Sequence, residues 1–383
     1  MTRPQTPAFP DPRAETLVSA RSLVAAYEQA GYARAHPAIL QQAEPFLDLS
    51  GEDIRARMFL TAGRSGDELC LRPDFTIPVS RDYLASDAAG RPQGYCYLGP
   101  VFRDRGALPG EFLQAGIESF GRADKAAADA ETLALGLAAT AHFGNRAPEI
   151  RMGDVGLFAA LVEALDLAPA WKRRLVKDFN RKASLAHDLD RLTLGNGNGK
   201  PDYQGVLAAL AGSDPKAARA LVTDLLSIAG ISAVGGRSVG EIADRFLEQS
   251  TLGASATLPR DTRALVERFL SIGGNPLEAA KAMRALASEG KLAIDSALDL
   301  FESRNDEMKR RDIDLTGISF SCAFGRGMDY YTGFVFELTD GKANEPLVAG
   351  GRYDDLLTRL GSPSPIPAVG FSVWIERLAG GAA

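Results

Sequence analysis

Apolar positions recur every three to four residues between 14 and 34, at Leu17, Leu23, Val24 and Tyr27, and Gly31 closes the run. The spacing predicts an amphipathic helix. Residues 36 to 60 are mixed and end in Met58-Phe59-Leu60, after which Glu68-Leu69-Cys70-Leu71 predicts a strand. Thr76 to Leu84 predicts a helix, and Tyr95 to Arg103 has the β-branched and aromatic composition of a strand. In Glu111 to Gly121 the residues Gln114, Gly116 and Glu118 alternate with apolar neighbours. A strand there puts Gln114 and Glu118 on one face. If buried, the two side chains need partners, which a polar ligand would supply; an exposed strand face would need none. Residues 129 to 142 predict an alanine-rich helix, and from Val155 to about Glu307 the periodicity is helical throughout, as in Leu157–Leu165, Val206–Leu210, Ala217–Ile228, Ile242–Leu247 and Ala264–Ile272. Strand signals return at Ile318-Ser319-Phe320 and Phe334-Val335-Phe336. The pattern predicts an α+β core in two pieces, 14–154 and 312–383, interrupted by a mostly helical insertion, 155–311, and preceded by a flexible segment, 1–13.

The stretch from Phe324 to Phe336 sets Arg326 between Gly325 and Gly327, followed by Asp329, Tyr330 and Tyr331. Glycines beside a cation let backbone approach a bound anion closely. Adjacent tyrosines in a strand point to opposite faces, so one is expected to line a pocket while the other packs. A second cluster, Ala349-Gly350-Gly351-Arg352-Tyr353-Asp354, reads as a turn. Either cluster alone fits a glycine-rich β-meander; the two together favour a small-molecule pocket.

Composition narrows the function classes. At 383 residues the chain exceeds one typical domain, which suggests a large core with an insertion. The net charge of -6 lacks the basic balance of a nucleic-acid binder. No apolar run is long enough to span a membrane, and Met1 to Arg13 lacks the apolar stretch of a signal peptide. Cys70, Cys96 and Cys322 are scattered and odd in number, which points to a reducing cytoplasm. His36, His142 and His187 form no metal-ligand spacing, and no Ser or Cys sits in a nucleophile elbow. Gly195 to Pro201 lacks the first glycine and the Ser or Thr of a phosphate loop and reads as a surface loop.

Leu71-Arg72-Pro73-Asp74-Phe75-Thr76, Gly99-Pro100-Val101-Phe102-Arg103, Gln114-Ala115-Gly116-Ile117-Glu118, Arg326-Gly327-Met328-Asp329-Tyr330-Tyr331, Gly350-Gly351-Arg352-Tyr353-Asp354 and Gly370-Phe371 to Glu376-Arg377-Leu378 stand in the order and approximate spacing of histidyl-tRNA synthetases. From about residue 14 to its end the chain resembles that family. The resemblance implies a class II synthetase-like antiparallel sheet of six or seven strands with flanking helices, in a dimer formed through 45–71. It implies that Asp74, Thr76 and Gln114 hold the ammonium of histidine, and that Arg326, with Arg103 nearby, faces the carboxylate. Glu118 and Tyr331 would reach the imidazole, and Tyr330 and Tyr353 would line the pocket. Asp74 replaces the family's usual Glu.

Other departures bear on activity. Phe102-Arg103-Asp104-Arg105 has Arg105 where a synthetase has the Glu that meets adenine, and the loop after it is short. Trp374 stands where a small residue beside ATP is expected, and it is too large to share that volume. An anticodon-binding domain, with which a synthetase would continue after Leu378, is not expected here. A histidine pocket with a damaged ATP site resembles the regulatory subunits of ATP phosphoribosyltransferase. That resemblance implies no catalytic residue, no cofactor and no metal, with L-histidine as ligand. The implied partner is a short-form ATP phosphoribosyltransferase catalytic subunit, which this chain would activate and let histidine regulate in the first step of histidine biosynthesis, without tRNA or membrane. A trimmed synthetase that activates histidine is the alternative, kept open by Arg103, Arg326 and Arg377.

Overall fold

The computed structural model describes residues 14–64, 66–194, 258–341 and 345–380, and helical positions at 220, 224 and 228. The expected N-terminal segment, the Gly195–Pro201 loop and the helices at 206–210 and 242–247 lie outside the described residues, as does most of 217–228. In chain order the strands are β1 (Ala33–Arg34), β2 (Leu40–Gln42), β3 (Leu60–Ala62), β4 (Glu68–Leu71), β5 (Gln93–Phe102), β6 (Glu111–Phe120), β7 (Glu149–Asp154), β8 (Gly273–Gly274), β9 (Ile318–Ser321), β10 (Phe334–Thr339), β11 (Val348–Arg352) and β12 (Ala368–Trp374).

β2, β4 and β3 form a small antiparallel sheet. The others form a nine-stranded sheet in the order β1-β5-β6-β12-β11-β10-β7-β9-β8. Its central six strands, β5 to β7 in that order, are antiparallel throughout. The flanking strands β1 and β9 pair in parallel with β5 and β7. The antiparallel core with flanking helices is the architecture that the class II resemblance implies.

Register sorts the side chains onto two faces. On one, Tyr95 and Tyr97 of β5 stand beside Glu118 and Gly116 of β6, which stand beside Gly370 and Ser372 of β12, and Ser372 pairs with Ala349 of β11. The other face is covered by helices. Tyr27 of Ala14–Gln29 meets Phe371 edge-on, and Gly136 of Lys125–His142 sits against Phe336 and Val348. The helix Asp295–Lys309 packs along Lys125–His142. There Arg304 is buried between Asp129 and Asp154, 3.2 Å from the first, and Arg352 holds the other oxygen of Asp129.

Three sequence expectations change. The Ala349–Asp354 cluster does not turn at its glycines: Gly350 and Gly351 lie inside β11, because β12 and β10 approach closer there than a Cβ allows. Tyr330 and Tyr331 lie in an irregular segment before β10, so strand alternation does not separate them. β7 was not anticipated, since its Glu-Ile-Arg-Met-Gly-Asp has little β-branched or aromatic character.

Contacts divide the chain into Met1–Phe158 with Phe269–Ala383, and Ala159–Arg268. The first unit holds both sheets and the helices Pro276–Gly290 and Asp295–Lys309, which the sequence had placed in the insertion. In the second, Trp171, Leu175, Leu185, Leu189 and Leu192 are buried, and so is Asp188, which Arg174 pairs.

Candidate ligand-binding site

On the face of the sheet away from those helices is a small recess. Its floor is set by small residues on neighbouring strands, Ala349 and Gly370; a Cβ on Gly370 would lie 1.8 Å from Glu118 Oε2. Its walls come from three places. Asp74 and Thr76 stand at the start of the helix Thr76–Leu84, Gln114 projects from β6, and Arg326, Met328, Tyr330 and Tyr331 come from the segment before β10. Tyr353, Phe371, Ser372 and Trp374 complete the lining.

The polar groups are arranged by charge. Asp74 is 2 % exposed; its Oδ1 accepts from the Ile77 amide at 3.4 Å, and its Oδ2 has no hydrogen-bond partner among the described residues. Gln114 is 1 % exposed and its Oε1 is likewise unpartnered. The recess thus offers two buried acceptors where a donor is wanted. Burial pushes the Asp74 carboxyl up, and the Arg103 guanidinium behind it opposes that shift. Arg326 supplies the cation. It lies 3.3 Å from Glu337, and its Nη1 donates to the Tyr331 hydroxyl at 3.4 Å. The Tyr330 and Tyr331 rings are 4.9 Å apart, and Tyr330 meets Tyr353 edge-on at 5.7 Å.

Seven of the residues expected to bind ligand therefore line one recess: Asp74, Thr76, Gln114, Arg326, Tyr330, Tyr331 and Tyr353. Arg103 and Glu118 stand one layer behind. Arg103 Nε donates to the Pro73 carbonyl at 2.7 Å. Glu118 accepts from Thr76 at 2.8 Å, from Tyr97 at 3.4 Å and from the Tyr353 hydroxyl. Its influence on the recess thus runs through Thr76 and Tyr353. Burial pushes the Glu118 carboxyl up to about 8, against the pull of those hydroxyls. Sequence reading missed Tyr97 and Ser372, whose hydroxyls are 3.0 Å apart. Both sit level with Gly116 on the Gln114–Glu118 face, which only the strand pairing reveals.

Trp374 is buried and closes one end of the recess. Arg377 stacks on its ring at 5.1 Å, pairs with Glu345 at 2.6 Å and donates to the Pro346 carbonyl at 2.9 Å. Arg105 does not enter the recess; it folds over Phe112 at 4.5 Å and donates to the Pro109 carbonyl. Among the described residues no group of His, Cys, Asp or Glu could hold a metal, and no helix is long and apolar enough to cross a membrane.

The histidyl-tRNA synthetase family profile matches residues 10–234 and 220–378. An ATP phosphoribosyltransferase regulatory subunit of Brucella canis is 42% identical over 344 residues, 89% of this chain and 90% of that protein. The counterpart of Brucella abortus strain 2308 matches equally. Among solved structures, an ATP phosphoribosyltransferase regulatory subunit/histidyl-tRNA synthetase from Bacillus halodurans superposes with TM-score 0.67 at 23% identity, covering 99% of this chain and 82% of that one. Histidyl-tRNA synthetase from Nostoc sp. PCC 7120 gives 0.62 at 16%, covering 99% and 75%. These two likenesses concern the fold alone. By profile and by identity, the chain belongs to the histidyl-tRNA synthetase family and, within it, to the ATP phosphoribosyltransferase regulatory subunits.

Proposed function

We propose that this chain is a non-catalytic sensor of L-histidine that activates a short-form ATP phosphoribosyltransferase catalytic subunit and conveys histidine feedback to it. The observation that carries the reading is the pairing of two unsatisfied acceptors, Asp74 Oδ2 and Gln114 Oε1, with the Arg326 cation in one buried recess. An α-amino acid presents the matching ammonium and carboxylate. The aromatic wall and the Glu118 carboxyl behind Thr76 and Tyr353 suit a flat ring with polar nitrogens. The placement of Trp374 and the engagement of Arg377 by Glu345 and Pro346 support a site without nucleotide chemistry. Regulation then requires only that histidine and the partner favour different states of the complex.

Two measurements test this. Calorimetry on the pure protein is expected to show L-histidine binding and much weaker binding of histidinol, which lacks the carboxylate. Arg326→Ala is expected to weaken histidine about 10- to 100-fold, the loss of a buried charged hydrogen bond. The rate of phosphoribosyl-ATP formation by the short catalytic subunit is expected to rise when this chain is added and to fall across a histidine titration. An unchanged rate, with the proteins eluting separately, defeats the regulatory reading; histidine-dependent pyrophosphate exchange with ATP would establish a trimmed synthetase instead.

A further inference from the structure

Glu337 of β10 stands beside the floor of the recess. Its cross-strand neighbours are Ala349 of β11 on one side and Arg151 of β7 on the other. Ala349 in turn pairs with Ser372, so Ser372, Ala349, Glu337 and Arg151 form one row on the face that carries the recess. Neighbours in such a row have their Cβ atoms about 5 Å apart. Two cations flank the Glu337 carboxyl. Its Oε1 is 3.3 Å from Arg326 Nε, and its Oε2 is 3.8 Å from Arg151 Nη1. The Arg326 side chain is 9% exposed, whereas that of Arg151 is 48% exposed and lies over the Phe324 ring at 4.7 Å. The inner pair is thus largely dry, and the outer one is screened by water. The inner pair is also incomplete. Arg326 Nε is buried and forms no hydrogen bond among the described residues, and Nη1 reaches the Tyr331 hydroxyl at a long 3.4 Å. A buried guanidinium needs a counter-charge when the recess is empty. Glu337 supplies it by charge and leaves the Nε donor open.

We infer that Glu337 is the resting counter-ion of Arg326 and competes with the ligand's carboxylate for it, so that this residue sets how tightly the recess holds an amino acid. The inference rests on the amino-acid reading of the recess. A ligand carboxylate on Arg326 brings a second negative charge to a cation that already has one, in surroundings too dry to screen the repulsion. Each acid therefore weakens the other's hold on the guanidinium. Arg151 works in the opposite sense, because it draws the Glu337 carboxyl toward the outer end of the row. A ligand without a carboxylate does not meet this competition.

Calorimetry on the full chain with L-histidine and with histidinol tests this. Glu337→Gln keeps the shape of the side chain and removes its charge. It is expected to tighten L-histidine about three- to tenfold, the scale of a partly screened charge pair, and to leave histidinol within about twofold. Damage to the fold or to the seating of Arg326 would weaken L-histidine instead. Unchanged or weaker L-histidine binding therefore overturns the inference, as does an equal gain for histidinol. Arg151→Met keeps an apolar contact for Phe324, lies outside the recess and covers the case in which Glu337→Gln does not fold. It is expected to weaken L-histidine about two- to threefold, as an outer, half-exposed pair allows; unchanged or tighter binding overturns the inference. If neither the wild type nor Glu337→Gln binds L-histidine, the amino-acid reading fails, and the ligand-free protein still decides the pairing. The Nε–H resonance of Arg326, assigned by its loss in Arg326→Lys, is expected to shift in Glu337→Gln. A resonance that stays in place overturns the counter-ion role.

Discussion

Three hydroxyls, from Thr76, Tyr97 and Tyr353, surround the Glu118 carboxyl, and none of its hydrogen-bond partners is a cation. Hydroxyl donors offset part of the lost hydration, but burial prevails and the carboxyl rises from the ordinary 4.5 to about 8. The folded state therefore holds a proton that the unfolded chain has released. Between about 4.5 and 8 the unfolded state binds fewer protons, so this group makes stability fall as pH rises and level off above its folded value. Glu118→Gln removes that dependence. Urea midpoints at pH 5 and pH 8 are expected to lie closer together in the variant; an equal or wider gap would show that other groups dominate. That Gln114 and Glu118 share a face was legible from their spacing. That Glu118 stands behind the recess was not, because Tyr97, Thr76 and Tyr353 arrive from three separate elements.

The central strands are glycine-rich because backbone and side chains meet there at close range. A Cβ on Gly116 would lie 2.1 Å from the Phe371 carbonyl, and one on Gly350 2.2 Å from that of Gly370. Sequence reading took Gly350-Gly351 for a turn, since glycine pairs usually punctuate chains. Their need for space comes from β12 and β10, distant in sequence, so no local signal separates the two cases. On the helical side, the buried charges Arg304, Asp129, Asp154 and Arg352 tie Asp295–Lys309 to Lys125–His142 and to β7 and β11. Arg304→Met leaves Asp154 without its cation and is expected to cost about 3–5 kcal/mol. Denaturant titration reads this directly; a loss below about 1 kcal/mol would mean that the site rehydrates, as exposed pairs do.

At the scale of the molecule, the small sheet carries an exposed apolar surface. Ile39 and Leu40 stand at β2, and Phe59 and Leu60 at β3, each between 39% and 49% exposed. Strand alternation puts Ile39 and Leu60 on one face of that sheet and Leu40 and Phe59 on the other. The self-dimer expected through 45–71 would use the face that carries Leu60, and we predict that Leu60→Asp converts a dimer to a monomer. Sedimentation equilibrium decides this: a wild-type monomer, or a variant that stays dimeric, places the interface elsewhere or removes it.

From residue order came the helix Thr76–Leu84, β5 and β6, and the family resemblance added the α+β class and seven of the thirteen residues that line the recess. Those features rest on local periodicity and on short motifs whose chemistry is written in residue type. What folding alone decided is of another kind. It placed Arg103 and Glu118 behind the recess, drew Tyr97 and Ser372 beside them, and turned Arg105 away from it. Each of these depends on pairings between strands far apart in the chain, such as β6 with β12 and β7 with β10. A one-residue slip in such a pairing would move every side chain to the opposite face. The register that excludes the slip is selected by packing of the whole sheet, which no stretch of sequence contains by itself.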